Sequence, residues 1–467
     1  MLRNNKCYLW LTDRKCRFII LLVLCFILNA PLVSTGQTMT QQDYPEFWVN
    51  KLSNPDKLIM NQQEIAKFNL DIIHNLPDTV YDLAAYPAIL SKKTLVDYIN
   101  SVQLPGGKVY INGAAVPASG FEALRTQTNL QAVLEQNIVR YGFTVRRADL
   151  RTYPTKDGLF ESPDDWEFDR FQKTAVDPAE PLVILHQSLD SKWYYIQTYY
   201  YRGWLPAEDI AVAATREEWL AYMREPGFLI VTGANFQLAF NPVSPELSEI
   251  GFQMGAKIPL AHLGDIPAVV DNQAVAGNYV VILPVRDASG NLKFKQALIP
   301  STADVTPGYL PYTRANIIKQ AFKMQGQRYG WGGMFKATDC SGFIMNIYRT
   351  FGLKLPRNAD EQENSAGKSV DLRLSSLAER TQKLQKLLPG ATLHMNGHVM
   401  LYLGEDRGGY YIIHDMAAYG DKERPETDGS LWRVPVNQVT VSDLTTLYRV
   451  NGKLFLESLT TGRQFEY

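Results

Sequence analysis

Cys340 follows an acid, Asp339, precedes Ser341-Gly342-Phe343, and heads an apolar pattern with helical spacing. Phe343, Ile344, Ile347 and Phe351 recur about one turn apart, which predicts an amphipathic helix from Cys340 to Phe351 with Gly352 as its stop. A thiol at a helix N-terminus meets unpaired backbone N–H groups and the positive end of the helix dipole. Both favour thiolate, the nucleophilic form. Such a nucleophile needs a base. His398 opens an apolar run to Leu403, and His414 closes a run that begins at Tyr410. Two adjacent strands would bring both imidazoles to one sulfur. Gly330, Gly332 and Gly333, just upstream, let backbone approach backbone, or a ligand, closely.

The rest of the chain must position these groups. Its 467 residues suit two to four domains, each able to bury a core. The formal net charge of −1 supports neither nucleic acid nor an anionic membrane surface as partner. The 25 Tyr and 8 Trp suit β-rich modules and peptide or sugar grooves, and core packing accounts for most of them. Arg3, Lys6, Arg14, Lys15 and Arg17 precede the apolar run Phe18–Leu28, which is short for a membrane span, and small residues follow at Ala30, Ser34 and Gly36. That pattern predicts an export signal over residues 1–36, cleaved near Ala30 or Gly36, with an uncleaved anchor as the alternative. Leu22-Val-Leu24 before Cys25 lacks the small residues of a lipoprotein signal. Cys7, Cys16 and Cys25 fall inside the signal, so the mature chain keeps Cys340 alone, a candidate reactive thiol. One cysteine, no C-x-x-C and no H-E-x-x-H argue against a metal centre, and no cofactor is expected.

The ordered set Tyr329-x-Trp-Gly-Gly333, Asp339-Cys-Ser-Gly-Phe343, Leu355-Pro-Arg357, Ala359-Asp-Glu-Gln362, Leu388-Pro-Gly390, Gly397-His-Val399 and His414 resembles the NlpC-type cysteine peptidases of bacterial cell walls, a branch of the papain-like group. The resemblance covers the last third of the chain. Upstream, Arg151-Thr-Tyr-Pro-Thr155 and Gly203-Trp204 resemble the first of two bacterial SH3-like barrels that precede the catalytic domain in some of these enzymes. The expected architecture is multidomain α+β. It comprises a helical region at 37–138, SH3-like barrels at 139–214 and 215–308, and a papain-like catalytic domain at 309–467. Helices are expected at 92–102, 121–139 and 314–324, a short helical link at 219–224, and a hairpin turn at Asp287–Asn291. His186 ends an apolar strand and reads as a packed histidine.

The resemblance implies roles residue by residue. Cys340 attacks a carbonyl, His398 takes its proton and His414 orients His398, with Asp415 as the fallback orienting group and His394 as a competing base. Tyr329 would donate to the oxyanion beside the Cys340 backbone N–H. Asp339 and Ser341 would hold a free substrate amino group, Asp339 serving also as helix N-cap, and Trp331 would wall the groove. Arg357 would pair with a carboxylate of substrate or protein. The implied enzyme is an exported, monomeric peptidase of the γ-D-glutamyl-L-diamino acid endopeptidase, or dipeptidyl-peptidase VI, type. It would act in the periplasm or cell envelope on peptidoglycan stem peptides with a free N-terminal L-alanine, in wall turnover or recycling. An inactive wall-peptide binding protein, and an acyltransferase or amidase on the same scaffold, are the alternatives.

Overall fold

The computed structural model describes residues 39–467 apart from 103, 374 and 375. The expected signal segment, with Cys7, Cys16 and Cys25, lies outside the described residues. Of the described residues, those up to Tyr44 belong to one unit, in which Gln41–Asp43 make a single 3-10 turn capped by Thr40. Residues 45–467 form the other. No helix among the described residues is long and apolar enough to cross a membrane.

The C-terminal domain is built on a six-stranded antiparallel sheet. Its spatial order is Lys368–Asp371, Leu459–Gln464, Thr392–Met395, His398–Asp406, Gly409–Pro425 and Leu431–Asp443. Strand side chains alternate between faces. Val399, Leu401, Ile413 and Val439 therefore join one core with the helices Arg314–Lys323 and Cys340–Arg349. Met400, Tyr402, Ile412 and Met416 join another with Leu384 and Phe455. The Cys340 helix stops at Thr350, and Gly352 follows with φ +90°. Its residues Phe343, Ile344 and Ile347 are fully buried, each contributing about 2 kcal/mol of apolar burial.

Two neighbours hold that helix in place. The first is a seven-stranded antiparallel barrel sheet, ordered Ile210–Val212, Arg140–Thr144, Pro181–Gln187, Trp193–Gln197, Arg202–Pro206, Ala148–Arg151 and Gln172–Val176. Arg349, in the last turn of the helix, pairs with Asp177 at 3.1 Å and Glu180 at 2.9 Å on this barrel. The second neighbour is the helix Gln62–Asn75, capped by Asn61, which accepts the N–H groups of Gln63 and Glu64. From it Gln62 and Asn69 donate to the carbonyls of Phe351 and Gly352, at 3.1 and 2.9 Å, satisfying groups that a helix end leaves open.

Residues 215–308 form the helix Arg216–Met223, a three-stranded sheet of Lys257–Pro259, Phe228–Val231 and Val305–Pro307, and the long hairpin Asn278–Arg286 with Leu292–Pro300. The hairpin turn is closed by the Asp287 carboxylate, which accepts the N–H groups of Ser289 and Asn291. The helix expected over 121–139 ends earlier, at Gln127. Asn129 takes a left-handed φ of 56°, and Gln136–Ile138 pair with Ile89–Ser91 as strands. The apolar residues beyond 128 have helical spacing, but strand pairing claims their backbone groups.

Candidate active site

Cys340 is the first residue of its helix and Asp339 the N-cap, whose Oδ1 accepts the Gly342 N–H at 2.9 Å. Oδ2 accepts the Gly332 N–H at 2.9 Å. Arg357 grips the same carboxylate with both terminal nitrogens, Nη1 to Oδ1 at 2.9 Å and Nη2 to Oδ2 at 2.7 Å. It also donates to Ser341 Oγ and, through Nε, to Thr174 Oγ1 on the barrel, both at 2.8 Å. Burial pushes the Asp339 carboxyl up, but the Arg357 charge and the converging N–H groups outweigh it and its pKa is lowered. With the Ser341 hydroxyl also donating to Oδ1, both oxygens are fully engaged. Asp339 and Ser341 nonetheless line the cavity beside Cys340, the carboxylate anchored there by Arg357. Arg357, undecided from sequence, is the protein partner of Asp339.

The thiol is buried, and burial pushes it up to about 12, with the Asp339 charge adding to the rise and the Val399 N–H opposing it. A preformed thiolate is not what this site holds. Desolvation of the charged form exceeds what a helix terminus supplies within one turn. The Val399 N–H bonded to the sulfur places the thiol beside His398, its neighbour in the chain.

His398 begins its strand, and its Nε2 lies 2.8 Å from Nδ1 of His414 on the adjacent strand. The Nε2 of His414 in turn lies 3.2 Å from Ser442 Oγ. Phe455 packs its ring against both imidazoles, with centroids 6.2 and 6.1 Å away. Burial pulls His398 down to about 4, Arg449 adding to the fall and Asp339 opposing it. Burial, then His398 itself, takes His414 well below the ordinary imidazole range. Both rings are therefore neutral near pH 7. If Nε2–H of His398 donates to His414 Nδ1, and Nε2–H of His414 donates to Ser442, Nδ1 of His398 is left free to accept a proton.

The two other candidates near this relay make different contacts. Asp415 takes the opposite strand face from His414, accepts the Thr338 hydroxyl at 2.8 Å, and is pushed well above the carboxylate range by burial. His394 is fully buried, with Nδ1 at 3.2 Å from the Ala359 carbonyl and Nε2 at 2.9 Å from the Thr392 hydroxyl. Ser442, Thr338 and Phe455 carry no sequence signal, since strand pairing alone brings them here.

Cys340, His398, Tyr329, Trp331, Asp339 and Ser341 line one cavity of about 1100 Å³, and His414 stands behind it, fully buried. Burial raises the Tyr329 phenol well above its usual value, so it is a neutral donor. The turn Trp331–Lys336 docks on the barrel edge strand Gln172–Val176. Gln172 Nε2 donates to the Gly332 carbonyl at 3.0 Å, and Arg147 donates to those of Gly333 and Ala337. A Cβ on Gly332, at φ +58°, would stand 2.8 Å from the Gln172 side chain. The glycines thus serve backbone-to-barrel contact. Phe168, Arg170, Lys173 and Tyr201 of the barrel complete the cavity wall. Among the described residues, no group of three His, Cys, Asp or Glu side chains could hold a metal ion.

Residues 326–440, which include Tyr329, Cys340, His398 and His414, match the NlpC/P60 family profile. That match covers 115 of the chain's 467 residues. Residues 158–206 match an SH3 domain of the SH3b1 type, so the NlpC/P60 cavity is walled in part by SH3 residues. The fold is similar to that of an NlpC/P60 endopeptidase from Photobacterium damselae subsp. piscicida, with a TM-score of 0.71, 18% identity, and coverage of 90% of this chain and 96% of that one. A stretch of 54 residues is 41% identical to the bifunctional muramidase/DL-endopeptidase CwlT of Bacillus subtilis. That stretch spans 11% of this chain and 16% of the relative.

Proposed function

We propose that the chain is an exported cysteine peptidase that hydrolyses peptidoglycan stem peptides between γ-D-glutamate and an L-diamino acid, on fragments with a free N-terminal L-alanine. The observation that carries this reading is the pairing of a helix-terminal cysteine with the His398–His414–Ser442 relay at one cavity. As the Cys340 sulfur attacks the scissile carbonyl, its proton passes to Nδ1 of His398. The Tyr329 phenol and the Cys340 N–H are the donors assigned to the oxyanion. Collapse expels the amine, which takes the proton from His398 and leaves a thioester. Water then attacks the thioester with His398 again as base, releasing the acid and restoring the thiol. Asp339 and Ser341 are the groups assigned to the substrate ammonium, and Asp360, exposed on the cavity rim, is a further carboxylate within the same cavity.

The test is mass spectrometry of products from L-Ala-γ-D-Glu-diaminopimelate and from the same peptide acylated on its amino group, with a Cys340→Ala control. Release of L-Ala-D-Glu from the free peptide alone is expected. Equal cleavage of both would move the target to intact wall. Absence of Cys340-dependent cleavage would overturn the reading in favour of binding or acyl transfer.

His414 is a positioning residue in this scheme. His414→Ala is expected to lower kcat by about 10²–10⁴-fold, the range for losing the group that sets a catalytic imidazole's tautomer. KM should stay within about twofold, and an unchanged thermal unfolding midpoint separates this outcome from a loss of folded protein. His414→Asn, which keeps an acceptor, should recover part of the rate.

A further inference from the structure

The cavity's charged groups are mostly neutralised within the protein, and on its barrel side what remains is cationic. Arg357 is taken up by Asp339, Ser341 and Thr174. On the barrel side Arg170 pairs through Nη2 with Glu161 at 3.0 Å. Its guanidinium carbon lies 5.1 Å from the ring centre of Trp331. Three donors on that side remain open. Arg170 Nε is buried without a hydrogen-bond partner. So is the indole Nε1 of Trp331. Lys173, half-buried on the edge strand, has no carboxylate within ion-pair distance among the described residues. Burial and then Arg170 lower its pKa. Buried donors without acceptors cost free energy that an anion would recover. All three residues line the cavity that holds Cys340.

Resting on the proposed bond specificity, we propose that Lys173, Arg170 and Trp331 form a carboxylate receptor for the free α-carboxylate of the γ-linked glutamyl residue. In such a residue the scissile amide is made from the side-chain carboxyl, so the α-carboxyl keeps its charge. An ammonium at Lys173, with the Arg170 and Trp331 N–H donors lining the same cavity, suits the two oxygens of that group. The α-carboxamide form presents an NH₂ to the same donors and leaves the lysine charge uncompensated. Discrimination against the amidated peptide follows from this buried donor set. Because the receptor comes largely from the SH3 side, the barrel has a direct part in specificity.

The test uses the full chain and two peptides, L-Ala-γ-D-Glu-diaminopimelate and its α-carboxamide counterpart. Wild type is expected to favour the acid at least tenfold in kcat/KM. Lys173→Met should bring the acid-to-amide ratio near one, and Lys173→Arg should restore most of it. Calorimetric binding of both peptides to Cys340→Ala, and to Cys340→Ala/Lys173→Met, reads the receptor without turnover. There too the acid should bind about tenfold tighter, and only when Lys173 is present. Equal binding of acid and amide, or an equal loss on both peptides in Lys173→Met, would overturn the receptor. Selective binding without Cys340-dependent cleavage would keep the receptor and remove the peptidase. Cleavage without selectivity would do the reverse.

Discussion

Replacing Cys340 by alanine is expected to abolish turnover, lowering kcat/KM by about 10³-fold or more, because it removes the group assigned to form the acyl bond. The fold should survive. The substitution removes one small buried atom at the start of a helix whose cap, Asp339, keeps its bonds to Gly342, Gly332 and Arg357. Thermal unfolding of the variant should stay within a few degrees of wild type, since the lost burial is about 1 kcal/mol. The pH dependence of the wild type belongs to the same test. With the thiol at about 12 and His398 at about 4, the resting pair is neutral between those values. The imidazole is then free to accept a proton near neutrality. Activity should fall on the acid side as His398 becomes protonated, and the acidic limb should lie well below the ordinary imidazole value. Turnover near the wild-type level in Cys340→Ala would refute the assigned nucleophile. An acidic limb near 6.5 would refute the neutral buried pair.

The second large effect is on stability. Arg357→Met should destabilise the protein by about 3–5 kcal/mol, because it leaves the Asp339 carboxylate buried and uncompensated. For a chain of this size that lowers the melting temperature by about 10 °C. The double variant Asp339→Asn/Arg357→Met removes the stranded charge and should recover more than half of the loss, which a simple packing defect would not allow. The sign of the pH effect separates the two causes further. In wild type the Asp339 pKa is depressed on folding, so its contribution is present above the normal carboxylate range and is lost as pH falls through the lower folded value. In Arg357→Met the unpaired carboxyl is pushed upward by burial, so acidification relieves it. The stability gap between the two proteins should therefore narrow as pH falls. A gap unchanged between pH 7 and pH 4 would show that Arg357 acts through packing alone.

Two further contacts show how remote segments set the site. Arg349 pairs with Asp177 and Glu180, and Arg357 donates to Thr174, so the helix that begins at Cys340 and the loop after it are both tied to the SH3 barrel. The edge strand Gln172–Val176 supplies the surface on which the Trp331–Lys336 turn rests, and Lys173 lies on that same strand. The barrel thus takes part in holding the nucleophile loop and in shaping the wall of the cavity.

Local sequence was enough for the nucleophile helix and the histidine strands. The apolar spacing after Cys340, the cap residue Asp339 and the two strand-like runs beginning and ending with histidine are short-range patterns. Helix and strand periodicity express such patterns directly. The SH3-like texture between 140 and 206 was readable for the same reason. The region after 128 was not, because its apolar spacing fits a helix while the pairing partner that makes it a strand, Ile89–Ser91, lies far back in the chain.

Charge and burial were decided only by the tertiary structure. A helix terminus next to a cysteine suggests thiolate, but enclosure of the sulfur between the helix and the sheet reverses that preference. Asp339 in sequence is an available carboxylate, and the arrival of Arg357 from the next loop makes it an internal one. Ser442, which ends the histidine relay, and Lys173, which faces the same cavity as Cys340, come from strands whose patterns resemble those of many other strands. Their chemistry arises from what the fold sets beside them. The sequence by itself determined which residue heads the helix and which strands carry the two imidazoles. The packing of barrel on catalytic domain decided the protonation states, the free charges and the shape of the cavity, because desolvation and pairing depend on neighbours far apart in the chain.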